Sequence, residues 1–563
     1  MTDYRALAHL LYPHVTRTPD DLFRQYPPRP LPAGAQVTRF APSPTGFVHI
    51  GSIFTTLVSR RVAHQSGGVF ILRIEDTDKK REQDGSIEAI VRNLNNFGLT
   101  PDEGIVAVDP EVVIGDYGPY VQSERIDLYD VFAKFLVERG AVYPAFDTEE
   151  ELDQLRKTQE AQKVKPGYYG PWATWRDASL EQVKERLDRG ERPVIRIRAP
   201  YPAGEARVKF QDVIKGELDL PINDQDAVLI KSNSLPTYHF AHLIDDVLMR
   251  VNLVIRGDEW LPSAPLHLQT YEALGLTAPR LAHVAPIAKM EGDSKRKLSK
   301  RKDPEANMAY YYEQGYPEQA VTEYLLNLAN SSFYDWRKAN PTASNTEFQV
   351  RLEDLGKASP LFDIVKLNDI SKDIVATYTA EQVYEYGLNW AKQYNPRLAA
   401  ILETDPAYTI SVFNVERTGQ SPRKDIVNWA DIERACGFFF DELYDASIEA
   451  NGYPFPKIEA GDIRRILDAL RGFDPAMSKE AWLDAMRTLG EQIGYARDAK
   501  SYKKDPAAFK GQFGDVMMVV RAALTGRTNS PDLYTILQTI GTARAQKRAD
   551  KAWEYVEKTQ IQA

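Results

Sequence analysis

One cysteine, Cys436, stands among 563 residues. A single thiol excludes an internal disulfide framework and any thiolate-rich zinc site. No apolar run approaches the length needed to cross a membrane, and the opening Met-Thr-Asp-Tyr-Arg carries no signal-peptide core. The expected compartment is therefore the cytoplasm, with no membrane partner. Internal repeats and low-complexity tracts are missing as well. So is any excess of positive charge, since the formal net charge is −10 at pH 7. That weighs against a nucleic-acid partner, although phosphate contacts need only a local basic track. Residues 295–302, 497–504 and 544–551 are such tracts, and each taken singly reads as a solvated charged face.

What remains is the composition of a soluble globular protein, 43% hydrophobic and 27% charged, on a chain long enough for three or more domains. The densest chemistry lies in residues 37–52. Val37 to Ala41 reads as a short strand, and Pro42-Ser-Pro-Thr-Gly46 is rich in chain-turning residues. From Ile50 the spacing turns helical, with Ile50, Ile53, Phe54, Leu57, Val58 and Val62 on one face. His49 and Gly51 thus sit where a strand and turn open into a helix. Free N–H groups and the positive end of the helix dipole suit that place to a phosphate. Glycine there permits close approach, and an imidazole can donate to a phosphate oxygen. Four letters alone are a weak signal, because a histidine near a helix start is usually structural.

The wider phrase, Arg39-Phe-Ala-Pro-Ser-Pro-Thr-Gly-Phe-Val-His-Ile-Gly-Ser52, resembles the ATP-binding signature of class I aminoacyl-tRNA synthetases, in the glutamyl branch. The branch commonly has a small residue in the fourth signature position, as Ser52 is here. The second signature is matched by Lys297-Leu-Ser-Lys-Arg301, downstream of a large insertion. A lysine-rich pentapeptide alone is usually exposed charge; the two signatures together are specific. Two lysines and a serine on a mobile loop can grip a triphosphate and neutralise charge as pyrophosphate leaves.

Between the signatures, Val69-Phe-Ile-Leu-Arg-Ile74 reads as a buried strand, so strand, helix and strand make a βαβ unit. Glu75 follows at the strand's carboxyl end, where ligands of open parallel sheets bind. Arg73-Ile-Glu-Asp-Thr-Asp78 also matches a glutamyl motif, which implies that Glu75 holds the α-ammonium of the amino acid. Further matches run through Leu235-Pro-Thr-Tyr-His-Phe-Ala-His-Leu-Ile-Asp-Asp246 and Asn252-Leu-Val-Ile-Arg-Gly-Asp-Glu-Trp260. His239 and His242 stand three apart but have no third ligand at a recognisable spacing, so no metal site is assigned. Where many relatives place zinc-binding cysteines after Tyr-Pro, this chain has Tyr143-Pro-Ala-Phe-Asp147. No zinc is expected.

The resemblance implies an α/β fold: a Rossmann-like class I catalytic domain over 36–117 and 225–303, interrupted by a connective insertion, 118–224, that contacts the tRNA acceptor end. A stem-contact segment, 304–379, and an all-α anticodon-binding region, 380–563, follow. Residues 1–35 form an arm without assigned role. The implied function is ATP-dependent ligation of L-glutamate to tRNA-Glu through a glutamyl adenylate, with Mg²⁺. His49, Ser52, Lys297 and Lys300 would serve the phosphates, and Thr45, Gly51 and Trp260 would complete the ATP site. Arg39, Ala41, Ser43, Glu75, Tyr238 and Arg256 would hold glutamate. A monomer is expected. Charging of tRNA-Gln as well stays open. A glutaminyl enzyme would read tRNA with β-barrels, whereas the tail has helical spacing. A stand-alone nucleotidyltransferase would not need that tail, and a non-enzymatic descendant would be expected to lose His49 or Lys300.

Overall fold

The computed structural model describes residues 3–299, 301–419 and 422–561, so Lys300 lies outside the described residues. Two short helices come first, α1 (Tyr4–Leu11) and α2 (Pro19–Gln25). Each starts at a cap: Asp3 accepts from the Arg5 and Ala6 N–H groups, while Thr18 and Asp21 form a capping box with Pro19 at the first helical position. These helices make the arm a packed element. Leu7, Ala8, Tyr12, Leu22 and Tyr26 are buried in one cluster with Phe132 and Leu136 of a later helix. Arg29 pairs with Glu103 at 2.8 Å, and the Tyr26 hydroxyl donates to the Gly118 carbonyl.

Then come β1 (Val37–Phe40), α3 (Ile50–Gln65) and β2 (Val69–Leu72), the expected βαβ unit. β1 and β2 are parallel, with Arg39 opposite Ile71. Gly68 lets β2 start close to its neighbour, because a Cβ there would sit 1.9 Å from the Gln36 carbonyl oxygen. Helix α4 (Ser86–Asn96) and the hairpin β3 (Gly104–Val108) and β4 (Glu111–Ile114) follow. Next are α5 (Ile126–Glu138), which buries the N-terminal helices, and β5 (Val142–Ala145). Helices α6 (Glu149–Ala161) and α7 (Leu180–Asp188) lead to β6 (Val194–Ile197) and the hairpin β7 (Arg207–Asp212) and β8 (Gly216–Pro221).

The chain then returns through β9 (Val228–Ile230), α8 (Tyr238–Leu248), β10 (Leu253–Gly257), α9 (Ala264–Leu274) and β11 (Arg280–Val284). β10 runs beside β1: the Asn252 N–H bonds the Val37 carbonyl, and the Val37 N–H bonds the Asn252 side chain. β10 and β11 are parallel. Two details depart from the sequence reading. β9 pairs antiparallel with β6 rather than joining the main sheet, and β7, read as part of the insertion, adds to β11 through Asp212 opposite Leu281. Strands of a hairpin can seek any open edge, and period-two spacing does not say which.

By contacts the chain divides into one unit of Met1–Tyr310 with Thr322–Asp363 and another of Tyr311–Val321 with Ile364–Ala563. The second is helical apart from two strands of two residues each among the described residues. In its helix Phe513–Thr525, Val516, Val519, Val520, Ala523 and Leu524 are all buried, as their spacing predicts. No described helix is long and apolar enough to cross a membrane.

Candidate active site

β1 has β2 on one side and β10 on the other, which makes the carboxyl ends of β1 and β10 the place where an open parallel sheet leaves a crevice. A cavity of about 690 Å³ lies there. Arg39, Ala41, Ser43, Thr45, His49, Gly51, Ser52, Glu75, Tyr238, Arg256, Trp260 and Lys297 all line it. Segments far apart in sequence are thus brought to one place, and Lys300 alone among the singled-out residues falls outside the described ones.

Helix α3 opens on this cavity. His49 is its N-cap, and its Nδ1 accepts from the Gly51 N–H at 2.9 Å. That bond leaves the proton on Nε2, the nitrogen able to donate to a ligand. A Cβ at residue 51 would stand 3.0 Å from Nδ1, so any larger residue crowds the ring out of this position. The second signature, expected on a loop, starts at the end of a strand, and Leu298 and Ser299 that follow are outside regular structure. Strands β12 (Ala288–Glu291) and β13 (Ser294–Lys297) form an antiparallel hairpin, and Lys297 is its last residue. Three consecutive charged side chains, Lys295 to Lys297, hide this strand from a hydrophobic pattern. Arg296 donates twice to Asp303, which also accepts from the Ser299 N–H, so the segment is pinned at its base. The bond from Arg296 holds the Asp303 carboxyl well below the usual carboxylate range. Lys297 lies 3.6 Å from Glu259 and is largely exposed.

Beneath the cavity, charge is dense and buried. Arg73 donates to Glu75 at 3.0 Å and to Asp246 at 2.7 Å, and lies 3.6 Å from Asp245. Asp245 in turn accepts from Arg125 and Gln122. Arg39 reaches the same Asp246 at 3.3 Å. Arg73, Asp245 and Asp246 stood inside matched segments, yet nothing in their spacing marks them as a network. Lys231, which bonds the Thr77 carbonyl, also lines the cavity and was missed. Tyr238 is stacked between Trp260 and His242, at 4.2 and 4.4 Å between ring centres, and burial pushes its hydroxyl up to about 12. His242 donates through Nδ1 to the Tyr238 carbonyl, 2.6 Å away, which is a helical structural contact.

Burial raises the Glu75 carboxyl from an ordinary 4.5 to about 7, because Arg73, shared among three carboxylates, and Arg39 compensate it only in part. A carboxylate must be ionised to pair with an ammonium. The kcat/KM for an amino acid held there is expected to fall below about pH 7, by up to tenfold per unit, and the Glu75→Gln variant should lack that inflection. A profile flat from pH 6 to 8 in the unaltered protein would remove Glu75 from that role. The sign for folding is opposite to the usual carboxylate: the folded state holds the extra proton, so this group's stabilisation is lost as pH rises from about 4.5 through about 7.

The family model for the class I tRNA synthetase catalytic domain of the E and Q type matches residues 36–368, and an anticodon-binding-domain model matches 500–553. A glutamate–tRNA ligase of Clostridium perfringens strain SM101 is 48% identical over 550 residues, covering 97% of this chain and 99% of that one. The chain belongs to the glutamate–tRNA ligases. A ligase of Sorangium cellulosum is 46% identical over 94% of this chain and 97% of its own. Among solved structures, a glutamate–tRNA ligase of Elizabethkingia meningosepticum in complex with its amino acid matches with a TM-score of 0.73 at 29% identity. It covers 92% of this ligase and 99% of its own chain.

The hydrogen bonds of the insertion in this ligase show what holds the segment around Tyr143 to Asp147. Tyr143 donates to Asp226 at 2.6 Å, Arg176 holds the same carboxylate, and Tyr168 donates to Asp147 at 2.5 Å. Buried aromatic rings and carboxylates tie the segment together.

Proposed function

We propose that this chain activates L-glutamate with ATP and transfers it to tRNA-Glu. In the first step an α-carboxylate oxygen attacks the α-phosphorus, the bond to the bridging oxygen breaks, and pyrophosphate leaves. In the second a hydroxyl of the terminal ribose attacks the acyl carbon and AMP leaves. Neither step needs a strong base, so positioning and charge stabilisation supply the rate.

The carrying observation is one cavity that holds a carboxylate and two guanidiniums at its sheet end and a helix N-terminus beside it. Glu75 would take the α-ammonium. Arg256, with Arg39, would take the γ-carboxylate, and Tyr238, Ala41 and Ser43 would shape the space between. His49 through Nε2, the α3 N–H groups, Ser52 and Lys297 would meet phosphates, with Lys300 joining them from the second signature; Thr45, Gly51 and Trp260 would line the rest of the ATP site. Mg²⁺ would enter with ATP as part of the substrate, held chiefly by its phosphates. The test is charging of purified tRNA-Glu and tRNA-Gln with labelled glutamate. Acylation of tRNA-Glu is the expected result, acylation of neither tRNA overturns the reading, and acylation of both makes the enzyme non-discriminating.

A further inference from the structure

Arg256 is held in an unusual way for a buried arginine. It is 6% exposed, and no carboxylate bonds it among the described residues. Its Nε–H donates to His283 Nε2 at 3.0 Å, and Nη1 lies 3.2 Å from His267 Nδ1. Nη2 is buried, bonds no carboxylate, and has only the Tyr238 hydroxyl near enough to interact with it.

A guanidinium can only donate. Both imidazoles must therefore turn a lone pair toward it, which fixes every proton in the cluster. His283 carries its proton on Nδ1 and donates it to Asp212 at 2.6 Å. His267 carries its proton on Nε2 and donates it to His239 Nδ1 at 3.0 Å. Both rings are neutral acceptors, in keeping with burial, which lowers the pKa of each. Asp212 is fully buried and accepts as well from the Ile214 and Lys215 N–H groups, so its carboxylate is itself fixed.

This arrangement orients a cation without neutralising it. Arg39 bonds Asp246 directly, whereas Arg256 bonds no carboxylate and has one nitrogen with no neighbour besides the Tyr238 hydroxyl. We infer that His283, held in one tautomer by Asp212, acts with His267 as a positioning residue that aims the Arg256 guanidinium, which no carboxylate bonds, at the substrate's γ-carboxylate and so sets glutamate specificity. The inference rests on the proposed role of Arg256. It also gives β7, outside the signature segments, a part in choosing the amino acid.

The test measures adenylate formation, with tRNA present, for glutamate and glutamine. His283→Phe removes the acceptor at Nε2 and is expected to raise the KM for glutamate by roughly 10- to 100-fold, the scale of a hydrogen bond to a charged group. The kcat and the KM for ATP should change little. His283→Gln restores an acceptor oxygen at that place and should recover most of the loss. Asp212→Asn presents an amide N–H to His283, moves the ring proton to Nε2 against Arg256, and should reproduce the loss even if His283→Phe folds poorly. In an Arg256→Gln background, His283→Phe should add nothing to the glutamate-to-glutamine ratio. A ratio unchanged in His283→Phe and Asp212→Asn while Arg256→Gln collapses it overturns this inference alone, as does full additivity in the double variant. A ratio unchanged by Arg256→Gln itself overturns the role of Arg256 and the inference with it.

Discussion

Replacing Arg256 by Gln is expected to cut the preference for glutamate over glutamine by about a thousandfold or more. A γ-carboxylate carries a full charge that a guanidinium meets with charge-assisted bonds, whereas an amide brings one acceptor and a competing donor. Sites built around a polar partner discriminate by factors on the order of ten thousand, so the loss should be large. The structure sharpens the choice between the two candidate cations. Arg39 shares Asp246 with Arg73, while Arg256 bonds two imidazoles and no carboxylate and keeps a buried nitrogen with only the Tyr238 hydroxyl near it. An unpaired buried donor costs free energy until a ligand arrives, which favours the anion that satisfies it. The measurement is the ratio of kcat/KM values for the two amino acids. A change below about threefold, far under that scale, would shift the assignment to Arg39.

The second large effect is expected at Lys300. Its replacement by Ala should slow adenylate formation on the order of a hundredfold or more, because a donor acting on charge that develops in the transition state lowers the barrier directly. Glutamate binding should be nearly unchanged, since the lysine would face phosphate rather than the amino acid. This expectation rests on the second signature and on its neighbours: Lys297 lines the cavity, and Asp303 fixes the backbone on the far side. Pyrophosphate exchange with tRNA present reads the rate. A loss under about threefold would show that Lys300 is exposed charge and nothing more.

The βαβ unit was legible because the apolar residues Ile50, Ile53, Phe54, Leu57, Val58 and Val62 of α3 are all buried and β2 is apolar throughout its length. The signatures put twelve residues from five segments on one cavity, a grouping that spacing alone could not have shown. What stayed illegible has a common cause. Asp212 and His283 meet across two strands that share a single residue pair, and no local pattern marks either. β13 is a strand of charged residues, and its pairing with β12 is set by a tight turn rather than by burial. The role of α1 and α2 depends on a surface supplied by α5, which their own sequence cannot announce.

That last dependence has a bearing on how the chain is made. On a ribosome, α1 and α2 emerge before α5, whose Phe132 and Leu136 cover Leu7 and Leu22. Their partner is on the order of a hundred residues away, which at bacterial to eukaryotic elongation speeds of about 5–20 residues per second is a wait of roughly 5–20 seconds. Through that interval two short apolar-faced helices have nothing to dock on, and isolated helices of this length do not persist in water. The nascent segment of α1 and α2 must therefore stay without stable structure until α5 clears the exit tunnel. Fusion partners or trimmed ends placed ahead of Leu22 act on that waiting segment, and their cost would appear in yield of folded enzyme before it appeared in turnover.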